Sequence, residues 1–476
     1  MPRFLLLLLL LVLAPATALA SGPWYSDVTE ASGIPSLKYG EGVNFCDLDG
    51  DGLPEIFLPD VKGRDRLYKN LGGFRFSDVT DARGIKERGG IGAVFADLDG
   101  DGLTDLYVVR GAYPYGINVL YRQVHDGTFI DISEKAGASG RKNGISAVAG
   151  DFAGKGKLDI FVSNWGTNTL YKNSGSGKLF FTDATEVSRL SEEGKSWGAL
   201  ITDFNCDGRP DIFVMRGGFG KPEDSRLFVN TGDGSFRDTA KASGITGVGW
   251  SMGAVSADFN GDGFPDLFVT NYDGPDHLYM NDGTGLFTDI TATVGISSGH
   301  SIGAAAGDID GDLLPDLVVA GYAGPVRVYK SMGDGKFTEV KDSGLASFTK
   351  NEGVALADVD GNGSLDLYVA NYDGHNKLYR NNLGGKNFIK VRPVVNGRPA
   401  VGAVVKLYKP GGLGKRDALL ASQDLQTTYG FCSQSPMELL FRLPDAGPYD
   451  IVVQFPGGAK NSRRAVSPGV IEISAE

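Results

Sequence analysis

Apolar residues along this chain fall into short runs, not helical stripes. Runs such as Gly92-Ala-Val-Phe-Ala96 and Leu106-Tyr-Val-Val109 are rich in β-branched and aromatic residues and are bounded by Gly, Asp and Asn. This is the pattern of short strands separated by tight turns. The runs also recur in a fixed order. An acidic nonapeptide opens at Asp47, Asp97, Asp151, Asp203, Asp258, Asp308 and Asp358, at intervals of 50, 54, 52, 55, 50 and 50 residues. A marker like Phe-x-Asp-Val-Thr, starting at Tyr25, Phe76, Phe129, Phe181, Phe236, Phe287 and Phe337, precedes each nonapeptide by 21 or 22 residues. A third marker, like Leu-Tyr-Lys-Asn, starts at Leu67, Leu120, Leu170, Leu227, Leu278, Val328 and Leu378.

Each unit therefore reads as four strands in about 50 residues, which predicts an all-β chain: a seven-bladed β-propeller with a small C-terminal β-sandwich. A linear solenoid fits less well, because it would need shorter repeats and capping units. The first Phe-x-Asp-x-Thr copy precedes the first loop, and the last Leu-Tyr-Arg-Asn has none after it. The N-terminal strand is thus expected to pair into the seventh blade and hide the open edge. Residues 385–476 alternate strand-like runs with turns at Pro410-Gly-Gly412 and Pro456-Gly-Gly458 and form the predicted independent sandwich. The propeller takes 21–384, and Asn382-Leu-Gly-Gly-Lys386 is the junction.

Residues 1–20 read as an export signal, with Arg3, an apolar run from Phe4 to Leu13 and the small-residue site Ala18-Leu19-Ala20. No later stretch is apolar for long enough to span a membrane, so a secreted, extracellular protein is expected (periplasmic or surface-bound in a bacterium). At 476 residues the chain exceeds one core, and its 70 glycines supply the turns. A net charge of −12 argues against nucleic acid as a partner. Three cysteines, Cys46, Cys206 and Cys432, cannot build a disulfide scaffold.

The acidic loops supply the candidate chemistry. Oxygen side chains at loop positions 1, 3, 5 and 9, spaced by glycine, suit calcium, which takes six to eight oxygen ligands. The expected ligands are Asp47, Asp49, Asp51 and Glu55; Asp97, Asp99, Asp101 and Asp105; Asp203, Asn205, Asp207 and Asp211; Asp258, Asn260, Asp262 and Asp266; Asp308, Asp310, Asp312 and Asp316; and Asp358, Asp360, Asn362 and Asp366. That makes about six Ca2+ sites. Loop 151–159 carries Ala153 and Lys155 at two ligand positions and is expected to be empty. Leu313 stands where other loops have glycine, which questions the geometry of the sixth. An EF-hand is excluded, because its twelfth position needs a bidentate Glu and here holds Leu58, Val108 or Val269.

No catalytic constellation emerges among the four histidines or elsewhere, so no enzyme is expected. The connections opposite the acidic loops carry Tyr113, Tyr115, Trp165, Phe219, Tyr272, Tyr322 and Tyr372, with Trp197 and Trp250 nearby. These are candidate contacts for an extracellular protein or glycan, although packing between blades explains any one of them equally well. The working function is an adhesion or interaction scaffold, with an exported carbohydrate-active hydrolase or lyase as the alternative.

The loops with their flanking strands resemble the FG-GAP repeats of integrin α-subunit propellers and the related VCBS repeats, over about 25–381. In that family the loops bind calcium. Asn387-Phe-Ile-Lys-Val-Arg392, Gly402-Ala-Val-Val-Lys406, Tyr429-Gly-Phe-Cys-Ser-Gln434 and Val452-Val-Gln-Phe-Pro-Gly-Gly458 resemble the ASPIC/UnbV domain. The combination is similar to that of the cartilage acidic protein family, and it implies an extracellular role.

Overall fold

A computed structural model describes residues 22–475, apart from 36, 38, 87–88, 112–115, 176–178, 219–222, 247–248, 386 and 429. The export signal and the candidate contacts Tyr113, Tyr115 and Phe219 lie outside the described residues.

The repeat is a four-stranded antiparallel sheet. In the second copy it runs Gly90–Ala96, Asp105–Arg110, Val119–Gln123 and Phe129–Asp131, each strand paired with the next. The acidic nonapeptide joins the first strand to the second. The Leu-Tyr-Lys-Asn and Phe-x-Asp-x-Thr markers form the third and fourth strands. Seven such sheets succeed one another among the described residues. The fourth strand of the last is Tyr25–Asp27, whose Tyr25 lies opposite Asn381, as the order of the markers predicts.

The sheets form a propeller. The first strand of each packs on that of the next, and Asn44–Cys46 packs on Asn351–Ala357 to close the ring. An apolar cluster fills every gap between neighbouring sheets. For example, Phe45, Ile56 and Tyr68 meet Ala355 and Tyr368 across the closure, and Phe204 and Phe213 meet Leu267 and Tyr279 further round. Burying this much aliphatic and aromatic surface supplies the main driving force.

The marker asparagines add a polar staple. Asn281 Nδ2 donates to Phe204 O at 2.8 Å in the preceding sheet and to Pro265 O at 2.9 Å in its own. Asn70, Asn173, Asn230 and Asn381 make the same pair of bonds, and Asn70 reaches Val359 O at 2.9 Å across the closure. Gln123 replaces Asn in the second sheet and still reaches Leu48 O. The sixth sheet has Ser331 at this position, which is too short to reach its neighbour.

Two further four-stranded sheets carry the C-terminal residues. Phe388–Val395 lies between Leu439–Arg442 and the parallel strand Gly469–Ser474, while Val404–Tyr408 lies between Leu419–Asp424 and Tyr449–Gln454. They enclose one core containing Ile389, Val405, Phe441, Ile451 and Ile473, which is the predicted sandwich. It is not an independent body. Leu313, from the sixth acidic loop, joins that core, and the segment after Asp424 runs up the propeller's central channel.

That segment touches all seven sheets. Thr427 Oγ1 donates to Ala149 O at 2.9 Å, Thr428 Oγ1 to Ala199 O at 3.2 Å and Gly430 N to Ala254 O at 2.9 Å. The Gln434 carboxamide accepts from Phe95 N at 2.8 Å and donates to Phe95 O at 3.0 Å, and its backbone pairs with Val43 and Phe45. Gly430 has φ 60°, and a Cβ there would lie 2.1 Å from Ala304 O in the sixth sheet. Ser433 lies against Gly353 in the seventh. The plug thereby satisfies backbone groups on the inner edges that a bare channel would leave to water.

Candidate metal centres and the channel mouth

Within each acidic loop, two carboxylates are committed to the backbone before any ion is considered. The position 1 aspartate accepts N–H groups from the turn: Asp97 from Gly100 at 2.6 Å and Gly102 at 3.0 Å, Asp258 from Asp262 at 3.0 Å and Gly263 at 2.8 Å. In every loop but the first, where Glu55 accepts only from Leu48 N, the position 9 carboxylate ties the loop to the third strand. Asp266 accepts from Phe259 N at 2.9 Å and Asn281 N at 2.8 Å, and Asp366 from Val359 N at 2.9 Å and Asn381 N at 2.8 Å. Loop 151–159 lacks the two middle carboxylates yet keeps both end ones: Asp151 accepts from Lys155 and Gly156, and Asp159 from Asn173 at 2.7 Å. The end carboxylates therefore have a folding role that survives without a metal-ligand set.

In four loops the structure gathers carboxylate oxygens within 4.8 Å of one another: Asp47, Asp49 and Glu55; Asp97, Asp99 and Asp101; Asp308, Asp310 and Asp316; Asp358, Asp360 and Asp366. Oδ1 of Asp310 and of Asp360 are buried without a hydrogen-bond partner. Buried, orphaned carboxylate oxygens beside other carboxylates are what a cation would satisfy, so these residues fit calcium. Burial, together with the neighbouring carboxylates, pushes Asp105 up to about 8 and Glu55 and Asp308 up to about 7; Asp316 and Asp366 stand well above the usual range. Asp51, Asp105 and Asp312 belong to these loops but lie outside the four clusters.

In the fourth and fifth loops an asparagine turns its amide inward: Asn205 Nδ2 donates to Asp207 at 3.0 Å, and Asn260 Nδ2 to Asp262 at 3.1 Å. The carboxylates Asp203, Asp211, Asp258 and Asp266 remain on backbone N–H groups. In the seventh loop, Asn362 Oδ1 accepts from Ser364 N. Leu313 adopts φ 69° and so reproduces the turn that glycine makes elsewhere; its side chain is held in the C-terminal core.

A cation from the third strand was not foreseen at these clusters. Lys69 Nζ lies 2.9 Å from Asp51 and 3.4 Å from Glu55 and also pairs with Asp49. Arg122 bridges Asp99 at 2.5 Å and Asp101 at 2.8 Å, and Lys330 bridges Asp312 at 2.5 Å and also pairs with Asp310. The sequence offers a partial signal for it. The three loops with four carboxylates have Lys or Arg at this strand position, and the fourth and fifth loops, with three carboxylates and an asparagine, have Val229 and Met280. The seventh, of the same composition, has Arg380, and loop 151–159 has Lys172, so a cation here does not by itself mark a four-carboxylate loop.

The C-terminal sandwich covers this face and adds cations of its own. Lys390 lies 3.0 Å from Asp358 and 2.9 Å from Glu438, and Arg392 lies 2.9 Å from Glu438 and 3.5 Å from Asp47.

The opposite face carries the aromatic candidates. Trp165, Trp197, Trp250, Tyr272 and Tyr322 form a continuous arc with ring centroids 4.9, 5.9, 4.5 and 5.3 Å apart. Tyr372 pairs with Tyr39 at 5.2 Å. Most of the arc packs on Phe431 and Cys432 at the tip of the plug, so these rings serve the core as well as the surface. Cys432 is buried, and its thiol is pushed up by that burial, as a packing role requires. Beside the plug tip lie two carboxyls that no sequence motif singled out, Glu41 and Glu352. Burial pushes Glu41 up to about 8 and Glu352 well above the usual range, with Glu41 and Asp373 adding to the latter.

No helix among the described residues is long and apolar enough to cross a membrane. The chain is similar to human cartilage acidic protein 1, with 26% identity over 265 residues, or 52% of this chain and 40% of that protein. The same protein of Xenopus tropicalis is 27% identical over 173 residues, 33% of this chain and 25% of the frog protein. The chain thus spans less than half the length of the curated relatives it matches. Solved structures aligned with it include BBS1N in complex with ARL6DN, at a TM-score of 0.48 and 12% identity over 75% of this chain and 97% of that one. Another is rhamnogalacturonan lyase YesW, at a TM-score of 0.41 and 14% identity over 72% of each chain. The FG-GAP-like repeat matches residues 47–108, 151–214, 218–269, 258–319 and 308–369. With more than half its length accounted for by that repeat and its acidic loops set between the first and second strands of successive sheets, the chain belongs to the FG-GAP-like repeat family.

Proposed function

We propose that the chain is an exported interaction scaffold whose acidic loops hold calcium and whose aromatic face receives an extracellular protein or glycan. The observation carrying the metal assignment is the set of four carboxylate clusters with their orphaned oxygens. The expected ligands are those named from the sequence in six loops, and loop 151–159 takes none. Calcium here stabilises the ring. At a free concentration of about ten times Kd, each site adds roughly 1.4 kcal/mol. The similarity to cartilage acidic protein 1 supports an extracellular location, as does the signal-like sequence at residues 1–20.

The test combines elemental analysis with melting of the full chain in calcium and in chelator. About six bound calcium ions and a large fall in Tm on chelation are expected. A metal-free protein whose Tm ignores chelator would remove the proposal. A carbohydrate-active hydrolase or lyase is the second reading, and it would rest on the buried carboxyls of Glu41 and Glu352, the latter near Tyr322. Glycan turnover abolished by Glu352→Gln would establish it in place of the scaffold.

A further inference from the structure

The mouth of the channel is where the ring closes. Glu352 lies in the first strand of the seventh sheet, and Glu41 lies just before that of the first sheet. Gly353 N donates to Glu41 O at 2.8 Å, so the backbone holds the two residues side by side. The plug tip forms the floor: Gly42 packs directly on the Cys432 carbonyl, and Val43 N donates to Ser433 Oγ at 3.3 Å. Glu352 is only 6% exposed, and its Oε2 is buried with no hydrogen-bond partner. Tyr322 and the exposed Asp373 stand close enough to interact electrostatically with it, and Tyr372 lies near Tyr322. An orphaned carboxyl oxygen in such surroundings is costly unless a donor arrives.

The same rim already receives the chain's own ammonium groups on aromatic faces. Lys62 Nζ lies 4.1 Å above the Tyr39 ring and 5.9 Å from that of Tyr372, and Lys195 Nζ lies 5.9 Å from the Trp165 ring. Lys350 pairs with Asp373 at 3.0 Å. Ring faces attract cations through their quadrupole, and an ammonium arriving beside Glu352 would favour the ionised form that burial opposes and make a charge-assisted hydrogen bond with it.

We infer that the channel mouth is a binding site for a protonated amine, specifically a lysine side chain of a partner protein, seated against the Tyr322 ring and hydrogen-bonded to Glu352. The inference rests on the reading of this face as a recognition surface. It names the class of partner that surface takes: the orphaned acceptor and the neighbouring acids favour a cationic donor over a neutral sugar.

The test uses the full chain in calcium and follows emission from Trp165, Trp197 and Trp250. The probes are the blocked tripeptide Gly-Lys-Gly, its norleucine analogue and a neutral xylo-oligosaccharide. The lysine peptide should bind at least tenfold more tightly than the norleucine peptide, and Glu352→Gln should erase that preference while leaving Tm within a few degrees. Asp373→Asn, at an exposed position that cannot threaten the fold, should weaken lysine binding two- to threefold. Equal binding of both peptides, or a preference that survives Glu352→Gln, overturns the inference. Oligosaccharide binding without peptide binding also overturns it but leaves the recognition surface standing. No response to any probe removes both.

Discussion

Replacing Lys69 by methionine should make the first acidic loop a tighter calcium site. Met280 occupies the same strand position in the fifth sheet, so the substitution copies a solution the chain already contains. Lys69 Nζ lies 2.9 Å from Asp51 Oδ2, and calcium sits about 2.4 Å from its ligand oxygens. Ammonium and ion sharing this carboxylate would therefore lie about 5 Å apart. With two charges on the ion and an effective dielectric of about 40 to 80, the repulsion is about 1.5 to 3 kcal/mol. Removing it predicts a gain of roughly ten- to a hundredfold in affinity at that one loop. The metal-free variant should also be less stable at pH 7, because Asp49, Asp51 and Glu55 lose their counter-ion. Calorimetric titration of the full chain should show one equivalent of calcium moving to the tighter class. Unchanged or weakened binding would refute the idea that the third-strand cation and the metal oppose each other.

Four further outcomes follow from the same geometry. Asn281→Ala removes two buried donors to carbonyls in adjacent sheets and should cost about 2 to 3 kcal/mol in urea unfolding. Ser331→Asn restores the staple missing from the sixth sheet and should add about 1 kcal/mol. Asp424 lies at the foot of the plug, accepting from Gln426 at 2.6 Å and Thr202 at 3.0 Å, and burial raises it to about 6. Because its folded value lies above the unfolded 3.8, its contribution is fully present below pH 4 and is lost as pH rises through 6. Asp424→Asn keeps the acceptor without the charge, so its stability relative to wild type should rise by about 3 kcal/mol between pH 4 and 7; parallel curves would contradict this. Asp159→Ala should destabilise the third sheet without changing calcium stoichiometry, since Asp159 holds Asn173 N in a loop with no ligand set.

The ring and its closure were legible because three markers keep a common phase, and phase survives even where individual residues drift. The staple was visible only as a repeated letter. Asn281 and its partner Phe204 O are 77 residues apart, and a strand marker read within one repeat says nothing about a bond to the repeat before it. The acidic loops were legible as chemistry but not in their division of labour. Spacing alone treats positions 1, 3, 5 and 9 as equal ligands, whereas backbone N–H groups claim the first and last. Loop 151–159 carried the clue, because it discards the middle carboxylates and keeps the outer two.

The plug was least legible, for a physical reason. Gln426, Thr427, Thr428 and Gln434 are polar and lack strand or helix periodicity, so nothing in the sequence marks them for burial; in the structure each is 5% exposed or less. Their partners lie far away in the chain: Thr427 meets Ala149 across 278 residues, and Gln434 meets Phe95 across 339. A closed ring of sheets presents unpaired inner edges to its axis, and polar side chains with matching donors and acceptors suit that axis as apolar ones would not. The C-terminal sandwich is bound to the propeller twice, through the plug and through Lys390 and Arg392 on the acidic face. Calcium held on that face, as proposed, would therefore bear on how the sandwich is seated, and the sandwich in turn holds the floor on which Glu41, Glu352 and the aromatic arc rest.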